Sequence, residues 1–120
     1  MLINFSNHPS DLWEESQLNA ARTYGEIIDL PFPPVDSTGD KHYIRMLVHS
    51  YLEKIIALAE SPQHTAIHIM GEMTFTFAMV QALHEHGFKC IASTAERSVK
   101  ILDDGTKNVY FSFVRFREYL

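Results

Sequence analysis

The stretch from Ala66 to Gly87, AIHIMGEMTFTFAMVQALHEHG, decides the fold of this 120-residue chain. Its first five residues are apolar except for His68 and do not alternate with polar residues, which is typical of a strand covered on both faces. Gly71 interrupts the apolar run, and a helix is predicted from about Met73 to His86, ending at Gly87. A buried strand followed at once by a helix indicates one unit of an α/β fold.

Two similar units precede this stretch. The first is a strand predicted over 2–5 and a helix over about 12–24, with a capping-box pattern that begins at Asp11. The second is a strand over 26–30 and a helix that Asp40 can cap. Strands that alternate with helices predict a parallel sheet with right-handed crossovers.

The tail departs from this alternation. A fourth strand is predicted over 89–92, and two β-like segments over 98–102 and 108–114 form a hairpin around the turn signal Asp-Asp-Gly-Thr. The loop over 93–97 is too short for a crossover helix, so the hairpin's first strand is expected to run antiparallel to strand four and its second strand parallel again. These two reversals would bring 115–117 to the edge where strands one, three and four end.

The predicted fold is therefore one α/β domain over residues 1–120, of Rossmann-like type. It has a mainly parallel sheet of four βα-linked strands, a C-terminal β-hairpin and helices on both faces.

Composition narrows the class of protein. The formal net charge of −5 argues against long nucleic acid as a partner, although a short nucleotide in a local pocket is compatible with it. The single cysteine, Cys90, allows no intramolecular disulfide, which suits the cytoplasm, and in a strand it is expected to be a buried, inert thiol. No apolar run approaches the roughly 18 residues that span a membrane. We expect a cytoplasmic protein with no membrane partner.

Polar residues follow three of the predicted strands. Ligands of open parallel sheets bind outside the carboxyl ends of the strands, where free N–H groups of the next helix favour an anion. Arg97 and Arg115 offer charge-assisted hydrogen bonds to phosphate, but no dinucleotide fingerprint or P-loop is present. The pattern predicts a site for a small anionic, nucleotide-like ligand. The other candidate residues are Ser6, Asn7 and His8, then Gly71, Glu72, Met73 and Thr74, and finally Ser93, Thr94 and Glu96.

Each candidate also has a purely structural interpretation. His68, within an apolar strand, is more often a hydrogen-bonded core histidine than a catalytic one. Glu72 would repel phosphate at a helix start, so it could instead bind a hydroxyl or an amine, or act as a base. The histidines lack metal-ligand spacing, so no metal site is predicted. Capping or tight turns would explain Ser10, Asp40, Gly71, Thr74 and the Ser93-Thr94 pair.

Four stretches together carry a family resemblance: INFSNHP over 3–9, HIMGEMTFTFAMV over 68–80, ASTAER over 92–97 and FVRFREY over 113–119. In this order they resemble the small CRISPR-associated accessory proteins of type III systems, which are related to CARF sensor domains and include stand-alone ring nucleases. The resemblance implies a CARF-like, Rossmann-like fold and a homodimer. It also implies a cyclic oligoadenylate ligand, with the tetra-adenylate expected, held across the dimer axis without a cofactor.

The resemblance implies that the ligand is either cleaved, which switches the antiviral signal off, or sequestered. A metal is not needed for cleavage, because the ribose 2′-hydroxyl can attack its own adjacent phosphate. Arg97 would then bind phosphate oxygens, and His8 or Glu72 would be the base. Ala95 departs from the threonine expected in relatives, which puts one hydroxyl contact in doubt. The positions carried over are Ser6, Asn7, His8, Gly71, Glu72, Thr74, Ser93, Thr94 and Arg97.

Three functions are thus open from the sequence. The first is a metal-independent ring nuclease, the second is a sponge that holds the cyclic nucleotide intact, and the third is a flavodoxin-like nucleotide-binding regulatory domain. Fold alone cannot choose among them.

Overall fold

Strands and helices alternate along the first three quarters of the chain. The structure, a computed structural model, describes residues 1–120. Two short 3-10 turns, Ser10–Leu12 and Pro62–His64, lie in the connections. In chain order the elements are β1 (Leu2–Ser6), α1 (Glu15–Arg22), β2 (Ile27–Asp29), α2 (Lys41–Leu58), β3 (Ala66–Met70), α3 (Met73–Glu85), β4 (Lys89–Ile101) and β5 (Lys107–Glu118).

The five strands form one sheet in the order β2-β1-β3-β4-β5. The pairs β1–β2, β1–β3 and β3–β4 are parallel, and only β5 is antiparallel to its neighbour β4. The chain therefore has a mixed α/β fold in which a mostly parallel sheet ends in an antiparallel hairpin. None of its helices is both long enough and apolar enough to span a membrane.

Alternating strand residues divide the core into two layers. On one face, Ile3 and Ile67 pack with α2 and α3, whose buried residues include Ile55 and Phe75. On the other face, Leu2 and the strand residues in register with it pack with α1 and with Trp13. The helices thus cover both faces, as the unalternating apolar run of β3 indicates.

The predicted loop over 93–97 is wrong. These residues continue β4, because the long strand β5 offers them a backbone ladder that runs from Ile91 opposite Glu118 to Ile101 opposite Lys107. The register shifts once along this ladder, between Thr94, which lies opposite Arg115, and Ala95, which lies opposite Phe113. The C-terminal part of the chain therefore reverses direction once, not twice. The sheet has five strands in total, not six.

The start of the first helix also differs from the prediction. Asp11 lies in a 3-10 turn, α1 begins only at Glu15, and its N-cap residue Glu14 makes no side-chain cap. The capping box is therefore absent. The intervening Trp13 is extended and buried, and its indole N–H donates to the His8 carbonyl, which ties the loop after β1 to the sheet.

Candidate functional site

A cleft of about 500 Å³ opens on the face of the sheet that α1 covers. It lies where β3 ends and β4 continues into the antiparallel hairpin. His68 and Ser93 form its floor. Trp13 and Phe113 contribute aromatic walls, and the exposed His8 lies at the rim. The volume is within the usual range of roughly 300–1,000 Å³ for small-molecule sites.

The floor of the cleft is a chain of hydrogen bonds across three strands. Asn4 of β1 lies opposite His68 of β3, and His68 lies opposite Ile91, two residues before Ser93. Because side chains alternate along a strand, all three polar side chains lie on one face. The Asn4 Oδ1 atom lies 2.9 Å from His68 Nδ1, and His68 Nε2 lies 2.5 Å from Ser93 Oγ.

This network determines which nitrogen of His68 carries the proton. The Asn4 amide donates to Asp29 at 2.8 Å and to the His8 carbonyl at 2.9 Å, so its Oδ1 atom is left as an acceptor. His68 Nδ1 must then be the donor to Oδ1. In the neutral ring Nε2 is unprotonated and accepts the hydrogen of the Ser93 hydroxyl.

The environment keeps His68 neutral. Its side chain is only 2% exposed, and burial lowers its pKa from the ordinary 6.5 to about 4, with a smaller contribution from the charge of His8. Desolvation disfavours the charged imidazolium, and a neutral amide rather than a carboxylate holds its Nδ1–H. The ring is therefore neutral at neutral pH, and its Nε2 lone pair is available to accept a hydrogen bond.

Further side chains form hydrogen bonds to both ends of the Asn4–His68–Ser93 network. Ser10 donates to Asp29 through its hydroxyl at 2.7 Å and through its backbone N–H at 3.1 Å. At the other end, Gln17 of α1 donates to Ser93 Oγ at 3.2 Å. Ser10 is therefore not a helix cap; its side chain orients the Asp29 carboxylate, which in turn orients Asn4.

Aromatic rings surround the imidazole. The ring centres of Trp13 and Phe116 lie 5.2 and 5.4 Å from that of His68. Phe113 packs on Phe116 at 5.0 Å, and Phe111, beyond it, is 68% exposed at the outer wall. The exposed Phe111 and the half-buried Phe113, next to a hydrogen-bonding floor, suit a ligand that combines planar rings with hydroxyl groups.

The structure gathers only some of the predicted site residues at this cleft. His8, Ser93 and Thr94 line it. Ser6 and Asn7 line a smaller cleft of about 210 Å³ beside Asp29. The three predicted loops therefore do not form one continuous pocket.

The segment after β3 is largely occupied by structural contacts. A Cβ atom added at Gly71 would lie 2.2 Å from the ring of Phe32, so that ring, not open space, faces the glycine. Glu72 is the N-cap of α3, and its carboxylate accepts from the N–H groups of Thr74 and Phe75. These bonds lower the pKa of Glu72, with Phe75 contributing most. Met73 is exposed and lines a separate cavity beside α3.

The remaining candidates lie on the hairpin. Glu96 and Arg97 are exposed residues of β4, and Arg97 is paired with Phe111. Arg115 lies opposite Thr94, but its Nε–H donates to the Phe116 carbonyl. Arg115 thus comes near the predicted edge although the strand reversals expected to bring it there do not occur.

Sequence reasoning missed several residues of the cleft. The sequence pattern places Asn4 only within a strand and favours His68 as a core residue. A usable signal was present, because each is a polar residue inside an apolar strand, in corresponding positions of β1 and β3. The remaining cleft residues that were not predicted as site residues are Leu12, Trp13, Glu14, Gln17, Met70, Ala95, Phe111 and Phe113.

Binding of a metal ion and nucleophilic attack by a thiol would each need particular side chains in a suitable position. No group of three or more His, Cys, Asp or Glu side chains is arranged to hold a metal ion. Cys90 is buried on the opposite face, and burial raises the pKa of its thiol to about 12. The thiol is therefore protonated at neutral pH and a poor nucleophile.

Comparisons with known proteins identify a family but not an activity. No curated protein and no solved structure gave a significant match. The family model described as "Uncharacterized protein MJ1673 family" matches residues 1–117, nearly the whole chain. The chain therefore belongs to the MJ1673 family.

Proposed function

We propose that the cleft binds a cyclic oligoadenylate, with the tetra-adenylate as the expected ring, and opens the ring without a metal. The observation that carries the proposal is that three of the four stretches that carry the family resemblance contribute polar residues to one cleft. They contribute His8 after β1, His68 in β3 and Ser93 in β4. In this role the protein would end a type III CRISPR signal in the cytoplasm.

The chemistry of the cleft suits such a ligand. Adenine rings stack on aromatic side chains, which the exposed Phe111 and the half-buried Phe113 supply, whereas Ser93 of the polar floor can accept a hydrogen bond from a ribose hydroxyl. A cleft of about 500 Å³ would hold part of a four-nucleotide ring. Two clefts related by a twofold axis would then grip the whole twofold-symmetric ligand.

The hairpin supplies a surface for that second copy. The paired residues Val99 and Val109, together with Ile101 and Phe111, lie on one face of the hairpin, and all four are more than 40% exposed. This apolar face of the arm, as we call it, continues the cleft wall formed by Phe113. A second copy packed on it would bring two clefts together, and so the proposal includes a homodimer.

The shape of the chain agrees with a projecting arm. The radius of gyration is 16.1 Å, whereas a compact chain of this length has one of roughly 14 Å. A two-stranded ribbon is marginal by itself in water, so an arm with one apolar face gains stability when that face is covered.

The strand order is compatible with a Rossmann-like domain, and the relation to CARF domains rests on the family resemblance alone. The order β2-β1-β3-β4-β5 is that of doubly wound flavodoxin-like sheets, whose ligands bind at the carboxyl ends of the strands near the β1/β3 switch point. The antiparallel direction of β5 departs from that pattern.

Ring opening would proceed by in-line attack. The ribose 2′-oxygen forms a bond to the adjacent phosphorus, and the bond from phosphorus to the 5′-oxygen breaks, leaving a 2′,3′-cyclic phosphate and a 5′-hydroxyl. The guanidinium of Arg97, on the apolar face of the arm, would bind the phosphate oxygens. His8 at the rim would protonate the leaving oxygen. Glu72 has no part in this scheme because its carboxylate caps α3.

The test uses labelled cyclic tetra-adenylate in EDTA, with less than one equivalent of protein and analysis after denaturation. Turnover beyond the amount of protein, to a 2′,3′-cyclic phosphate product, supports the proposal. Ligand that binds but is recovered intact identifies a sponge and overturns the cleavage step. Absence of binding overturns the proposal and favours the flavodoxin-like alternative. A 2′-deoxy analogue that binds without cleavage is the matched control.

A further inference from the structure

The hydrogen-bonded network of Asn4, His68 and Ser93 beneath the cleft extends to a half-buried hydroxyl, which a purely structural role does not require. We propose that Ser93 and His68 act together as the general base of ring opening and that Asn4 positions His68 for this task. The inference rests on the proposed function, since the proton concerned is that of the attacking 2′-hydroxyl.

The geometry defines the role of each atom in the relay, although Asn4 Oδ1 also accepts from the Ser6 hydroxyl at 2.7 Å. Asn4 Oδ1 holds the Nδ1–H of His68 at 2.9 Å, so Nε2 presents its lone pair to Ser93 at 2.5 Å. The Ser93 hydroxyl donates its only hydrogen to Nε2 and accepts one bond from Gln17. One lone pair of Ser93 Oγ is left, on the side of the cleft.

That lone pair can accept the proton of the ribose 2′-hydroxyl. As the 2′-oxygen bonds to phosphorus, its proton passes to Ser93 Oγ, and the original Ser93 proton passes to His68 Nε2. The bond to the 5′-oxygen breaks, and that oxygen takes a proton from His8 or from water. Loss of the extra proton from His68 to solvent restores the neutral ring, so no metal or other reactant is consumed.

The surroundings of His68 orient the ring and disfavour a lasting positive charge, so a proton taken up during the reaction is held only transiently. Ring and amide are both almost fully buried, and the amide is held by Asp29 and by the His8 carbonyl. Because Asn4 fixes the imidazole in one tautomer and one orientation, the ring does not have to reorient before it accepts a proton. A third group assists a base and its hydroxyl partner in this way. The Asn4 amide stabilises an imidazolium less than a carboxylate would, so the proton leaves readily.

A purely structural role makes different demands. Two buried polar side chains in neighbouring strands need partners, and Asn4 and His68 satisfy one another. Ser93 is only half-buried and could bond to water instead. If the network served packing alone, removal of the Ser93 hydroxyl would change neither ligand affinity nor cleavage.

The test compares Ser93→Ala with Ser98→Ala, a serine of the same strand that lies beyond the cleft. We expect Ser93→Ala to bind cyclic tetra-adenylate within a few-fold of wild type but to cleave it about 100- to 10,000-fold more slowly, the usual contribution of a general base. Ser98→Ala should cleave at the wild-type rate. Thermal melting of both variants checks that they are folded.

A second measurement needs no substitution at Ser93. Nitrogen-15 NMR of the imidazole should show His68 protonated at Nδ1 and free at Nε2 in the wild type, and a mixture of tautomers in Asn4→Ala. An Nε2-protonated ring in the wild type overturns the relay. Cleavage by Ser93→Ala at the wild-type rate also overturns it while leaving the proposed function intact. A wild type that does not cleave the ligand overturns both.

Discussion

The Oδ1 atom of Asn4 lies 2.9 Å from Nδ1 of His68, and both N–H groups of the Asn4 amide are engaged elsewhere. A neutral acceptor therefore fixes the tautomer of a buried imidazole. This relationship explains two properties together, because the ring is oriented toward Ser93 and yet gains no opposite charge that would favour its protonation. The low pKa of His68, about 4, follows from burial without such compensation.

The first prediction concerns stability in acid. Unfolded His68 takes up a proton below pH 6.5, whereas the folded form does so only near pH 4. Protonation between these values favours the unfolded chain, so the contribution of neutral His68 is complete above about pH 6.5 and is lost as the pH falls toward 4. From the two pKa values we expect a loss of about 3 kcal/mol from this residue.

Urea unfolding at several pH values between about 7.5 and 4 measures this effect. In His68→Gln the free energy of unfolding should fall less steeply with acid than in the wild type. The exposed His42→Gln is the matched control and should follow the wild type. Equal slopes for wild type and His68→Gln would contradict the low pKa of the buried ring.

The second prediction concerns Gly71. Because a Cβ atom at this position would collide with the Phe32 ring, Gly71→Ala must displace a side chain that packs 5.1 Å from Phe5 and 5.4 Å from Phe75 between ring centres. We expect a loss of about 1–3 kcal/mol in the free energy of unfolding. In the background of Phe32→Ala the same substitution should cost almost nothing. Additive effects in that double-mutant cycle would show that Phe32 does not impose the glycine.

The third prediction concerns Glu72. Its carboxylate caps α3 through the N–H groups of Thr74 and Phe75, so Glu72→Ala should lower the free energy of unfolding by about 1 kcal/mol. Glu72→Asp keeps a capping oxygen and should lose less. Chemical denaturation of the two variants gives the comparison. Ring cleavage by Glu72→Ala should equal that of the wild type, and a large loss of rate in a folded variant would return Glu72 to catalysis.

Strong local patterns allowed most of the parallel sheet to be predicted. The strand over 66–70 and the cap at Asp40 are confirmed, because an apolar run interrupted only by His68 and a capping aspartate are both recognisable from residues adjacent in sequence. The continuity of β4 was missed because residues 93–97 are polar and contain no distinctive strand pattern. What makes them a strand is the ladder with 111–116, which only the folded hairpin supplies.

The candidate site was harder to predict for the same reason. His8, Ser93 and Thr94 were found because they follow or extend strands, but Asn4 and His68 were hidden inside strands. Their meaning depends on register, since a shift of one residue would place them on opposite faces of the sheet.

The final prediction concerns the apolar face of the arm. If two copies meet through it, Ile101, which is 70% exposed in one chain, is buried once in each copy of a twofold interface. Burial of an isoleucine side chain is worth about 1.5–3 kcal/mol, so Ile101→Glu should weaken the dimer by at least 100-fold. Asn108→Glu adds the same charge on the opposite face of the hairpin and should leave the dimer intact. Sedimentation at micromolar concentration, with and without cyclic tetra-adenylate, should show the wild type at twice the 13.8 kDa chain mass and Ile101→Glu at that mass itself. A monomeric wild type under both conditions would refute an interface on this face. Equal dissociation of the two variants would also refute it, because Ile101 lies on this face and Asn108 does not.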